Sequence, residues 1–117
     1  MTKVMKKLQS ELIQDFDNKL SNIGDCIFKT IGRKRTLLVL LQLREHKKLR
    51  NKEIAKNLGG ISPSTLSSIL KQLKKQGLVI RKIYGEIPPL AVEYSLTNNG
   101  LSLLQAIDPF LEWLRQT

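Results

Sequence analysis

With 117 residues, 41% of them hydrophobic, the chain has the length and composition of one soluble domain, and its single cysteine, Cys26, excludes an internal disulfide framework. No apolar run approaches the roughly 20 residues needed to cross a bilayer, Leu37–Leu41 being far too short. The formal net charge is +10 and unevenly spread, with fifteen Lys and Arg against two acids in residues 29–83, and five against eight in the remainder.

A basic excess held in one central segment points to a polyanion, nucleic acid ahead of an anionic membrane. The opening Met-Thr-Lys-Val-Met-Lys-Lys lacks the apolar core and cleavage site of a signal peptide. With one cysteine fitting a reducing compartment, the expected location is the cytoplasm.

In chain order, Val4, Met5, Leu8, Leu12, Ile13, Phe16, Leu20 and Ile23 recur at three- and four-residue spacing, which predicts an amphipathic helix over 3–23. Leu37, Leu38, Leu40, Leu41 and Leu43 predict a second, heavily buried helix over 33–44. Arg33, Lys34 and Arg35 open it, where the helix dipole disfavours cations, which points to an anionic partner for them. Glu45 to Leu49 reads as a basic connection. A short third helix over 51–58 turns Ile54, Ala55 and Leu58 inward, and the Gly59–Gly60 pair ends it.

The next helix, 63–76, carries the clearest functional signal. Leu66, Ile69, Leu70 and Leu73 share one side, while Ser64, Ser68, Lys71 and Lys75 take the opposite side, flanked by Thr65, Ser67 and Gln72. Ser62 is placed as its N-cap, Pro63 as its first residue, and Gly77 as a left-handed C-terminal cap. The polar side has no carboxylate. A purely solvated helix mixes charge signs, whereas one entering the DNA major groove must avoid negative charge. Two helices joined by a short glycine-containing turn form a helix-turn-helix pattern.

Residues 78–84 and 90–96 change to β-branched, aromatic and aliphatic content. The intervening Gly85-Glu86-Ile87-Pro88-Pro89 predicts an antiparallel hairpin with a loop of five residues. Thr97 or Asn98 caps a final helix bearing Leu101, Leu103, Leu104 and Ile107. Asp108-Pro109 predicts a kink or restart there, followed by apolar Phe110, Leu111, Trp113 and Leu114.

The residues do not converge on catalytic or metal chemistry. Cys26, beside Ile27 and Phe28, reads as a small buried apolar residue, and His46, the lone histidine, as a solvated loop residue without partners for a zinc site. Glu11, Asp15 and Asp17 lie on a polar helix face with no nucleophile nearby. The expectation is a non-enzyme with no cofactor.

Helix, helix-turn-helix, hairpin, helix is the winged-helix arrangement, and the chain resembles the HxlR-type transcriptional regulators, winged-helix relatives of the MarR group. The resemblance rests on Ile31-Gly32-Arg33-Lys34 with Thr36-Leu37-Leu38, Arg50, Glu53-Ile54, Gly60-Ile61-Ser62, Leu66, Leu70, Leu73 and Gly77-Leu78-Val79 with Arg81. It continues through Tyr84, Pro88, Val92-Glu93-Tyr94, Leu96-Thr97, Gly100 and Trp113. Arg35 stands where the family usually has tryptophan and Asn51 where it has phenylalanine. Cys26 does not match the family's N-terminal cysteine, which falls near Ser21, so no redox sensor is implied.

The expected fold is therefore mainly α with a small β-hairpin (α+β): a winged-helix core at 33–97, an N-terminal dimerisation helix at 1–23 and a C-terminal one at 98–117. The expected function is a sequence-specific transcriptional regulator, a homodimer on an inverted-repeat operator of double-stranded DNA. Candidate DNA contacts are Arg50, Ser62, Ser64, Thr65, Ser67, Ser68, Lys71, Gln72, Lys75, Arg81 and Lys82. The apolar surplus of the terminal helices makes Leu8, Leu12, Phe16, Leu104, Phe110, Leu111 and Trp113 candidates for the dimer interface. The alternatives are a non-sequence-specific or architectural nucleic-acid binder, and a winged helix used only for protein contacts.

Overall fold

A computed structural model describes residues 2–19, 30 and 32–117. The chain divides into two units, Met1–Gly32 and Arg33–Thr117. The first holds α1 (Thr2–Lys19), on which Leu8, Leu12 and Ile13 are exposed. Leu20, Ile23 and Cys26 lie outside the described residues, as does the side chain of Phe16.

The second unit runs α2 (Lys34–His46), β1 (Lys48–Leu49), α3 (Asn51–Asn57), α4 (Pro63–Lys75), β2 (Val79–Tyr84), β3 (Ala91–Leu96) and α5 (Asn98–Gln116). Its core is built from one stripe of each helix: Val39, Leu40 and Leu43 of α2, Ile54 of α3, Leu66, Leu70 and Leu73 of α4, and Leu104 and Ile107 of α5. Each fully buried leucine contributes about 1.5–3 kcal/mol relative to exposure. Leu37, Leu38 and Leu41 remain half-buried, so the leucine-rich helix is less enclosed than its composition predicts.

The helix-turn-helix is closed by matched end geometry. Leu58 ends α3, where Gly59 N–H donates to the Lys56 carbonyl and Gly60 N–H to the Ala55 carbonyl, both at 3.1 Å. The same two-bond closure ends α4: Gly77 N–H reaches the Lys74 carbonyl and Leu78 N–H the Leu73 carbonyl, both at 3.0 Å. Gly77 sits at φ +74°, which a side chain would oppose, and buried Leu78 anchors the turn to the core. At the other end, Pro63 opens α4 and Ser62 Oγ accepts from Thr65 N–H at 3.2 Å, as its sequence position predicts.

The hairpin pairs Val79 with Leu96 through Tyr84 with Ala91, antiparallel. A third strand joins it, giving the order β1-β3-β2. In this strand Lys48 pairs with Ser95 and Leu49 with Tyr94, within the stretch expected to be a plain connection. Two residues are too few to show an alternating pattern, so only the presence of β3 makes them a strand.

Two further corrections concern α5. The expected kink or restart at Asp108-Pro109 is not a new helix: α5 runs from Asn98 to Gln116 with Pro109 inside it. Proline leaves the Gln105 carbonyl without its helical donor, but Gln105 is exposed and water can serve it. Asp108, rather than capping a new helix, pairs with Arg44 of α2 at 2.9 Å. Leu104 is completely buried, so it is not available to a second copy of the chain as expected. Its four-residue spacing from Gly100 and three-residue spacing to Ile107 place it on the inward stripe.

Thr97 fastens α5 to the end of α4. Its Oγ1 accepts from Gly100 N–H at 2.9 Å as the N-cap, and donates to the Gly77 carbonyl at 2.6 Å. Its own N–H donates to the Leu78 carbonyl at 3.1 Å.

Candidate nucleic-acid interface

The exposed side of α4 is where sequence and structure meet. Leu66, Leu70 and Leu73 are buried, Ile69 and Thr65 are half-buried at one margin, and Ser64, Ser67, Ser68, Lys71, Gln72, Lys74 and Lys75 are exposed. At about 100° per residue, Ser64, Lys71 and Lys75 form the centre of that side. The leucines hold this polar stripe outward because turning it in would bury three lysines.

Hydrogen bonding divides the hydroxyls at the start of α4. Ser62 Oγ caps the helix, donates to Thr65 Oγ1 at 2.7 Å and lies 3.4 Å from Ser64 Oγ. Its proton is committed within the protein, whereas Thr65, receiving it, keeps its own proton for an acceptor outside. Ser62 therefore shapes the helix start, and Ser64, Thr65, Ser67 and Ser68 present hydroxyls from the first turns.

Strand alternation separates the two wing cations. Arg81, paired with buried Tyr94, joins Ser67, Leu70, Lys71 and Lys74 around a concavity of about 220 Å³ between α4 and the sheet. Lys82 is paired with Glu93 and belongs to the other face of the sheet. The structure thus brings Arg81 to the α4 stripe and leaves Lys82 apart from it. Lys74 is the cation in this concavity that the sequence reading passed over. Its position one turn after Lys71 and beside Ser67 on the helical projection is the signal that would have found it.

Arg50 sits at the N-cap of α3, where its backbone N–H donates to Glu53 Oε1 at 3.0 Å. A guanidinium has no acceptor, so the arginine side chain does not cap and stays exposed. Neither of the ion pairs Arg44–Asp108 and Arg115–Glu112 draws on the cations of α4 or of the wing. Among the described residues no group of three His, Cys, Asp or Glu is placed to hold a metal ion, and no helix is long and apolar enough to cross a membrane.

A helix-turn-helix whose second helix presents an acid-free stripe, followed by a hairpin that brings a cation beside it, defines a winged helix-turn-helix protein. Residues 30–117 match the model of the HxlR-like helix-turn-helix family. The chain belongs to that family. It is 39% identical over 103 residues to an uncharacterised HTH-type transcriptional regulator of Halalkalibacterium halodurans, spanning 85% of this chain and 90% of that protein. The reduced form of the transcriptional regulator YodB of Bacillus subtilis superposes with a TM-score of 0.69 at 28% identity, covering 80% of this chain and 89% of that one. A regulator assigned to the MarR family from Enterococcus faecalis gives a TM-score of 0.71 at 32% identity, covering 84% and 86%.

Proposed function

We propose that this chain is a sequence-specific transcriptional regulator that binds double-stranded DNA as a homodimer on an inverted-repeat operator. Each protomer would lay α4 in a major groove. The observation that carries the reading is the outward stripe of Ser64, Ser68, Lys71 and Lys75, free of carboxylates and continuous with Arg81 of the wing. The description of the relatives as HTH-type transcriptional regulators supports it.

In helix-turn-helix docking the N-terminal part of the second helix meets the bases. That assigns base-edge contacts to Ser64, Thr65, Ser67 and Ser68, with Lys71, Gln72 and Lys75 reaching bases or phosphates. Short hydroxyls discriminate bases weakly, so Gln72, Lys71 and DNA shape would carry much of the specificity. Arg50 and Arg81 are assigned to phosphates. Ser62 acts through the helix start, and Lys82, on the face of the sheet opposite Arg81, would meet at most a phosphate outside the groove that holds α4.

The dimer is supported by apolar side chains exposed on the terminal helices. Phe110, Trp113 and Leu114 are exposed on α5, the first two with stacked rings 6.3 Å apart, and Leu8 and Leu12 are exposed on α1. With Phe16, and with half-buried Leu111 at the margin, they would form a two-fold interface that sets two α4 helices about 34 Å apart, one DNA turn.

The test is selection of bound duplexes from a random pool. A paired, inverted motif with half-sites one turn apart is the expected result. Enrichment of no motif would favour the architectural alternative, and no retention of duplex would refute DNA binding.

A further inference from the structure

We infer that a second groove, between the start of α2 and the N-terminal half of α4, is a backbone-phosphate site that grips the DNA strand on the side opposite Arg81. The inference rests on the reading of α4 as the helix in the major groove. The groove has a volume of about 570 Å³ and is lined by Arg33, Lys34 and Arg35 on one wall and Thr65 and Ser68 on the other.

Its position follows from the helical projection of α4. Thr65 and Ile69, which border this groove, fall on one margin of the polar stripe, and Ser67 and Lys74, which border the Arg81 concavity, fall on the other. Ser64, Lys71 and Lys75 lie between. A helix about 10–12 Å across fills a major groove about 12 Å wide, so a phosphate strand runs along each of its flanks. This protein has a basic concavity on each flank of α4. The wing supplies one, and the start of α2 supplies the other.

The chemistry of the second groove suits a phosphate. Three cations enter it together, and among the described residues none of them is in an ion pair. Thr65, whose hydroxyl oxygen already accepts from Ser62, has its own proton to donate, and exposed Ser68 adds a second hydroxyl donor. α2 has no acid in its first turn and Arg33 gives it no side-chain cap. Nothing on α2 itself offsets these cations, and a phosphate in the groove would do so.

The test compares two double variants in binding to a random-sequence duplex, followed by fluorescence anisotropy from low to moderate salt. Lys34→Ala with Arg35→Ala removes two charges from the groove, and Lys47→Ala with Lys48→Ala removes two from the approach to β1. For the groove variant, which loses two cations in each protomer of the dimer, the slope of log affinity against log salt is expected to flatten by about 3.6, so its deficit relative to the wild type shrinks about 150-fold between 50 and 200 mM. The β1 variant should keep the wild-type slope, and Lys34→Arg with Arg35→Lys should restore it. An unchanged slope in the groove variant, or equal flattening in both, would overturn the phosphate site while leaving α4 binding intact. A wild-type chain that binds no duplex would overturn both readings.

Discussion

Replacing Gly100 with alanine sets local propensity against tertiary packing. Gly100 lies in the first turn of α5, and on helix propensity alone alanine is better there by about 0.8–1.0 kcal/mol. The structure reverses the sign. A Cβ at this position would overlap the Leu78 carbonyl oxygen and lie 3.1 Å from both the Leu78 carbonyl carbon and Leu96 Cδ2. The obstacle is backbone, and the backbone in question is tied down. The Leu78 carbonyl accepts from Thr97 N–H and the neighbouring Gly77 carbonyl from Thr97 Oγ1.

Making room costs about 1–3 kcal/mol of overpacking, and losing the two Thr97 bonds adds about 1 kcal/mol each. Less the propensity gain, the net destabilisation is about 2–4 kcal/mol, a large share of an ordinary domain's total. For a unit of this size that lowers Tm by about 10–25 °C. Thermal unfolding followed by circular dichroism measures it, with Ser102→Ala, an exposed position on the same helix, as a control expected to stay close to the wild type. A Gly100→Ala protein that melts at or above the wild-type temperature would refute the close approach of α5 to the end of α4.

Lys71→Glu places a carboxylate at the centre of the α4 stripe and should abolish duplex binding in a mobility-shift assay while sedimentation shows the oligomeric state unchanged; undiminished binding removes Lys71 from the interface. Arg81→Ala should weaken duplex affinity by about 1–2 kcal/mol, several-fold more than Lys82→Ala, because only Arg81 shares the concavity with α4; equal effects in titrations would refute that division of the wing. Ser62→Ala should cost about 1 kcal/mol of stability through the lost cap, whereas Ser64→Ala should leave the melting temperature nearly unchanged and weaken DNA binding. Phe110→Ala with Trp113→Ala should shift the chain toward monomer in sedimentation equilibrium; an unaltered association constant would place the dimer contact elsewhere.

The order of elements, the polar stripe of α4 and both of its ends are legible in the chain itself. They depend on contacts within about four residues: leucines at helical spacing, a serine before a proline, a glycine where the backbone turns left-handed. The family resemblance is legible for the same reason, since its marks are short motifs at the ends and centres of elements.

What only the tertiary structure decided is which of these marks meet. Lys48 and Leu49 become a strand because β3 lies beside them, and Asp108 becomes the partner of Arg44 rather than a helix cap. Leu104 and Trp113 look equally apolar along α5, yet packing buries the first and leaves the second outside. Arg81 and Lys82 are neighbours in sequence, but the alternation of a strand sends them to opposite faces, and only one reaches the helix. Arg33, Lys34 and Arg35 come to share a groove with Thr65 and Ser68 across some thirty residues of chain, a distance over which no local pattern carries information. Periodicity states which side of an element is polar; the partner that side faces is set by the packing of the others.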